Sequence, residues 1–228
     1  MGEVLFICEG NTEVFLLFKI LEKEFNINIP QELKDNGNLN IKSVIGAIVP
    51  FEKNNDISIN VTNLNGETKL NSYTKVLIND RSFDNLSKVL YIMDADYIQG
   101  NESGFERTKR AITDSINELK KNSENLICDY FITPNNKDEG MTETLLINAL
   151  NCQEIVSYIK DDVIPTVKNM KECEITNEQK STFMMIAATQ NPLRATAPSF
   201  ISKCYKKLNK ENKDFKNLID FIGNNIKL

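Results

Sequence analysis

The sequence has no histidine and no tryptophan in 228 residues. Without histidine there is no Ser-His-Asp triad, no Cys-His dyad and no imidazole metal site. The five cysteines, Cys8, Cys128, Cys152, Cys173 and Cys204, are scattered, odd in number and never in CxxC spacing. That pattern argues against a disulfide framework and fits reduced thiols in a cytoplasm. Cys8 and Cys128 lie inside apolar runs, where a thiol acts as a small hydrophobe. No apolar run approaches the ~20 residues of a membrane span. The start, MGEVLFICEG, lacks the basic and long apolar regions of a signal peptide. Positive charge is also short, with 27 basic against 32 acidic residues and a net charge of −5. General nucleic-acid binding through a basic surface is therefore not expected, although a local basic patch or a metal can still hold a phosphate backbone. There is no internal repeat and no low-complexity linker.

The chain does have 41% hydrophobic residues, enough for a core in one large domain or a domain with an appendage. Val4–Cys8 is a continuous apolar run, the pattern of a strand buried on both faces. A Gly turn and an amphipathic helix follow, with Val14, Phe15, Leu17, Phe18 and Leu21 at helical spacing and Asn11 or Thr12 as cap. Pro30–Asn40 reads as loop, and Ile41–Pro50 as a strand with a kink at Gly46. Asn65-Gly66 signals a hairpin turn in an insertion around residues 50–85, with helix over Ser72–Asn85. KVLYIMDAD and Leu126–Pro134 read as further strands, with an amphipathic helix over Gly104–Lys121 between them. After about residue 151 the pattern is helical in four segments. The expected fold is an α/β, Rossmann-like core over residues 1–150, a mostly parallel sheet flanked by helices. A helical extension over 151–228 packs on it.

Acids fall at the strand ends: Glu9 after the first, Asp94 and Asp96 after VLYIM, and Asp138, Glu139 and Glu143 beyond the next. Positions i and i+2 of a strand share a face, so Asp94 and Asp96 are expected side by side. Two carboxylates at ~4 Å repel by about 4 kcal/mol at an effective dielectric of ~20. In an open parallel sheet the ligand site lies outside the carboxyl ends of the strands. Clustered carboxylates without histidine or thiolate select hard cations, and a divalent ion would offset the repulsion. Each acid also has an ordinary role open to it. Glu13 and Glu143 suit the first turn of a helix, and Asp96 suits a turn.

Glu9-Gly10 and Asp94-Ala95-Asp96 together resemble the signature of a Toprim domain, the catalytic module of topoisomerases, primases and OLD-family nucleases. CEGNTEVFLL is similar to the EGxTE form of the OLD-like branch, which adds Glu13. This likeness covers about residues 1–150. The DAD strand, the Pro134-Asn135-Asn136 turn, the GMTETLL helix start and the helical C-terminal part also resemble small bacterial Toprim-like proteins, over nearly the whole chain. The separation of Glu9 from Asp94 departs from the pattern and implies an elaborated core. The tyrosine domain of a topoisomerase and the accessory parts of a primase cannot be read in the chain.

The resemblance implies phosphoryl transfer or phosphodiester cleavage on DNA or RNA with Mg²⁺ or Mn²⁺. Asp94 and Asp96 would hold one ion, with Glu9 as ligand or general base, and Glu13 and Glu143 would complete a second site. Asp138 and Glu139 are rivals to Glu143. Arg107 and Arg110, in GFERTKR, are candidates for substrate phosphates, or else lie on a solvated helix face. Gly10, Asn11, Asn135 and Asn136 complete the expected substrate contacts. A lysine-rich stretch, Lys203 to Lys216, suits either a nucleic-acid track or a solubility face. A non-catalytic module that binds metal or nucleotide and acts through a protein partner is the competing expectation. A receiver-type phosphoacceptor fits less well, because Glu9-Gly10 is not the acid pair it needs.

Overall fold

The structure is a computed structural model and describes residues 2–27, 49–50, 57–98, 102–190, 193–194 and 196–226. Five strands, β1 (Gly2–Cys8), β2 (Val49–Pro50), β3 (Ile57–Asn63), β4 (Leu86–Asp94) and β5 (Ile127–Thr133), form one sheet in the order β2-β3-β1-β4-β5. β3, β1, β4 and β5 run parallel, and β2 lies antiparallel on the edge. The α/β, Rossmann-like fold expected from the sequence is therefore present. β1 leads towards β3 and β4 leads to β5, on opposite sides, so the chain diverges at the carboxyl ends of β1 and β4. Open α/β sheets place ligands in that crevice.

The helices are α1 (Asn11–Glu24), α2 (Leu70–Ile78), α3 (Gly104–Asn122), α4 (Thr142–Ala149), α5 (Gln153–Tyr158), α6 (Ile164–Lys168), α7 (Glu178–Ala188), α8 (Ala197–Cys204) and α9 (Lys213–Ile226), with a π turn Ile159–Val163 joining α5 to α6. Strict alternation splits the sheet into two cores. Phe6, Cys8, Leu90 and Ile92 face α1 and the C-terminal helices. Leu5, Ile7, Tyr91 and Met93 face α2 and α3. The first core is continuous from Phe6, Val61 and Phe131 through Phe183, Phe200 and Phe215. The helices beyond residue 151 share the core of the sheet instead of building their own. Phe183 and Phe200, both fully buried, meet edge to face at 5.2 Å, and a ring deleted from such a site costs about 3–5 kcal/mol. Among the described residues no helix is long and apolar enough to cross a membrane.

Two expectations change. Asn65-Gly66 does not turn a hairpin. Ile57–Asn63 is an inner strand parallel to β1, and Asn65 (φ 56°) and Gly66 (φ 119°) carry the chain into a 3₁₀ turn, Glu67–Lys69, and then α2. The tolerance of Asn-Gly for positive φ serves a strand-to-helix turn equally well. The antiparallel pairing in this region is instead β2 with β3. At α1 the N-cap is Gly10, without a side-chain cap; Asn11 turns aside to accept from Asn63 Nδ2 at 2.8 Å. The expected loop Pro30–Asn40, and Ile41–Pro50 apart from Val49–Pro50, lie outside the described residues.

Candidate metal centre

Register brings the acids to one edge. Cys8 is level with Asn63 on one side and Ile92 on the other, and Asp94 is level with Thr133. The Glu9 backbone N–H continues the pairing to Ile92 O at 3.1 Å. Its side chain then reaches over the end of β4, where Oε2 accepts from the Asp94 N–H at 3.1 Å. Glu13 sits in the first turn of α1 and Glu143 in that of α4, both buried.

Asp94 is held closely. Its Oδ1 accepts from Thr133 Oγ1 at 2.6 Å, from the Thr142 N–H at 2.8 Å and from Thr142 Oγ1 at 3.0 Å. The N–H of Thr142 is one of the free donors at the start of α4, so the helix end favours the carboxylate there. Burial and mutual repulsion still dominate in the metal-free chain. Burial pushes the Glu9 carboxyl up to about 9, helped by Asp94 and Glu13 and opposed by the Asp94 N–H. Glu13 rises to about 8 through burial and the charge of Asp94, with Glu143 adding and the Thr142 hydroxyl opposing. Asp94 rises to about 6 through burial, with the Thr133 hydroxyl opposing and Glu143 adding. Glu9, Glu13, Asp94 and Glu143 thus form one electrostatic group drawn from three strand ends.

Asp96 does not stand beside Asp94. The strand ends at Asp94, the Ala95 N–H turns to Thr133 O at 3.0 Å, and Asp96 takes φ 57°. Asp96 bridges to Gly140 through both backbone groups, at 2.7 and 2.9 Å. Its Oδ2 lies 3.7 Å from Arg107 Nη2 on α3. The i, i+2 rule fails here because it holds only while the strand continues. Asp94 faces α4 on one side of the sheet and Asp96 faces α3 on the other. Gly104 makes this possible, since a Cβ on it would stand 2.3 Å from Ala95 O and 2.8 Å from Asp96 O.

The other expected residues divide. Arg107 is at the site. Arg110 is exposed and forks onto Glu102. Asp138 is exposed and pairs with Asn135, whose amide also reaches Asp214 at 3.3 Å. Asn136 accepts from the Ile132 N–H and shapes the turn. Glu139 Oε1 accepts from the Gly104 N–H at the start of α3. Of the three rivals, Glu143 alone perturbs Asp94 and Glu13. No sequence pattern points to Thr133 and Thr142, because a threonine at a strand or helix end carries no signal of its own.

A family model described as "Protein of unknown function (DUF3226)" matches residues 3–226. The chain belongs to the DUF3226 family. No curated protein matches this sequence. Among solved structures, this DUF3226 chain is similar to the hypothetical protein PH0156 from Pyrococcus horikoshii OT3, with a TM-score of 0.58 and 15% identity. The match covers 98% of this chain and 95% of that one, and it shows a shared fold.

The donor set of this DUF3226 chain suits a hard cation, since every group is a carboxylate or a hydroxyl. Among the described residues, no three acidic or thiol side chains are already arranged as a metal-ligating group. Asp94 keeps Oδ2 clear of the threonine bonds, and Glu9 has Oε1 clear of its bond to Asp94. The fit lies in the chemistry of the converging groups.

Proposed function

We propose that this protein is a Toprim-type, Mg²⁺- or Mn²⁺-dependent enzyme that cleaves or transfers phosphodiesters of nucleic acid. One observation carries the reading: Glu9, Glu13, Asp94 and Glu143 gather at the carboxyl edge of a parallel sheet, where Asp94 and Glu13 raise the pKa of Glu9, and Glu143 raises those of Asp94 and Glu13. Glu9 and Asp94 would hold one cation, with Glu13 and Glu143 beside a second, while Asp96 lies across the sheet edge beside Arg107. When bound, such cations neutralise charge on phosphate oxygens and lower the pKa of water. With no histidine in the chain, Glu9 is the carboxylate assigned as proton acceptor once cations hold it ionised. Arg107 would contact the phosphate. Thr133 and Thr142 position Asp94. Tyr97, exposed just beyond Asp96, offers a ring for a base to stack on. Five cysteines without a pairing pattern support a cytoplasmic location.

The second reading is a non-catalytic metal- or nucleotide-binding module that works through a protein partner. The observation in its favour is the threonine hold on Asp94, which a purely structural carboxylate would also have. Labelled DNA and RNA, single- and double-stranded, incubated with the protein and Mg²⁺ or Mn²⁺ decide between them. Cleavage lost in Glu9→Gln supports the enzyme. Metal binding with no cleavage of any substrate supports the module.

A further inference from the structure

A groove of about 740 Å³ runs between α2 and α3 and opens at Glu9 and Asp96. Its size falls within the roughly 300–1,000 Å³ of small-molecule sites. Its floor asks for nothing. Thr74 Oγ1 donates to Leu70 O at 2.8 Å, so Ser115 must donate to Thr74 and Tyr91 to Ser115, at 2.7 and 2.8 Å. Every hydroxyl hydrogen in that chain is used.

The mouth is different. Arg107 is 17% exposed and stands between Glu67 and Asp96, with Nε and Nη2 at 3.6 and 3.7 Å from their oxygens. Both distances are too long for hydrogen bonds. Its Nη1 is buried and has no partner. A guanidinium placed between two carboxylates with donors to spare is prepared to pair with two oxygens of an anion such as phosphate. Further along, Asp114 and Glu118 outweigh Lys75, while Leu70 and Ala111 supply apolar wall. A chain of phosphates would be repelled there, but an uncharged body with hydrogen-bonding edges would be accepted.

We propose that this groove binds the base and sugar of a single nucleotide whose phosphate rests on Arg107 beside the acids. The inference rests on the metal-site reading above and adds the substrate class: a nucleoside monophosphate unit, either free or at the end of a strand. A duplex interior is excluded, because its bases are paired away from such a groove.

The test is calorimetric titration of the full chain, first with Mn²⁺ and then, Mn²⁺-loaded, with adenosine monophosphate, inorganic phosphate and a short single-stranded oligonucleotide. Absence of Mn²⁺ binding overturns the metal reading by itself. With Mn²⁺ bound, the nucleotide is expected to bind about tenfold or more tighter than phosphate. Ala111→Phe, and Asn71→Phe from the opposite wall, fill the groove and abolish that advantage while Mn²⁺ affinity stays. Arg107→Gln weakens nucleotide binding and tightens Mn²⁺, because a neighbouring positive charge is gone; a merely structural arginine would not move the two in opposite directions. Competition between nucleotide and oligonucleotide identifies a strand end as the occupant, and binding of the nucleotide alone identifies a free one. Equal binding of nucleotide and phosphate, or unchanged nucleotide binding in both Phe variants, overturns the proposal.

Discussion

The backbone N–H of Asp94 donates to Glu9 Oε2 at 3.1 Å across 85 positions of sequence. The carboxylate that ends β1 is therefore fastened to the residue that ends β4. Both chain and charge converge at the divergence point of the sheet, and the bond fixes which acids meet.

Asp94 variants should separate charge from packing. Asp94→Ala removes the acceptor of the Thr142 N–H and of the Thr133 and Thr142 hydroxyls, and a buried donor left unsatisfied costs about 1–3 kcal/mol. Asp94→Asn keeps Oδ1 as acceptor and removes the charge. Chemical denaturation should find the Ala variant clearly destabilised and the Asn variant close to wild type.

Acids at the site should act differently from their neighbours. Glu13→Gln and Glu143→Gln are expected to weaken Mn²⁺ binding by about tenfold or more, whereas Asp138→Asn and Arg110→Ala leave it unchanged. Glu13→Gln should also raise the melting temperature of the metal-free chain at alkaline pH, since it removes a buried charge beside Asp94. Calorimetry and thermal melts read both effects.

Stability of the metal-free protein should fall as pH rises. Glu9, Glu13 and Asp94 hold protons to about 9, 8 and 6, above their ordinary values of 4.5, 4.5 and 3.8. Between those limits the folded chain binds more protons than the unfolded one, so unfolding releases them. Their contribution is complete below the ordinary values and is lost as pH climbs through the raised ones. The slope is about 1.4 kcal/mol per pH unit for each proton so held. Urea titrations across this range should show the decline, and saturating Mn²⁺ should flatten it.

Gly104 should tolerate no side chain. A Cβ there would meet Ala95 O and Asp96 backbone atoms at 2.3–2.8 Å, and backbone cannot step aside cheaply. Gly104→Ala should cost about 1–3 kcal/mol and weaken nucleotide binding through Arg107 and Asp96.

Much of this was legible in the sequence, for physical reasons. Continuous apolar runs such as Val4–Cys8 mark strands buried on both faces, and helical periodicity marked the four C-terminal segments. Acids at strand ends pointed to the carboxyl edge. The side-by-side placement of Asp94 and Asp96 was not legible correctly, because where β4 stops depends on Gly104 pressing against Ala95. The parallel place of Ile57–Asn63 was hidden because Asn-Gly serves several turns. The hold of Thr133 and Thr142 on Asp94 depends on register across β4 and β5, which no local pattern records.

The central claim is that the buried acids are a divalent-cation site. Calorimetric titration of the wild-type chain and Asp94→Asn with Mn²⁺ at pH 7, in two buffers of different ionisation enthalpy, tests it directly. The account predicts saturable binding by wild type with protons released from Glu9 and Glu13, and loss of that binding in Asp94→Asn. Equal binding by both proteins, or binding without proton release, would contradict it.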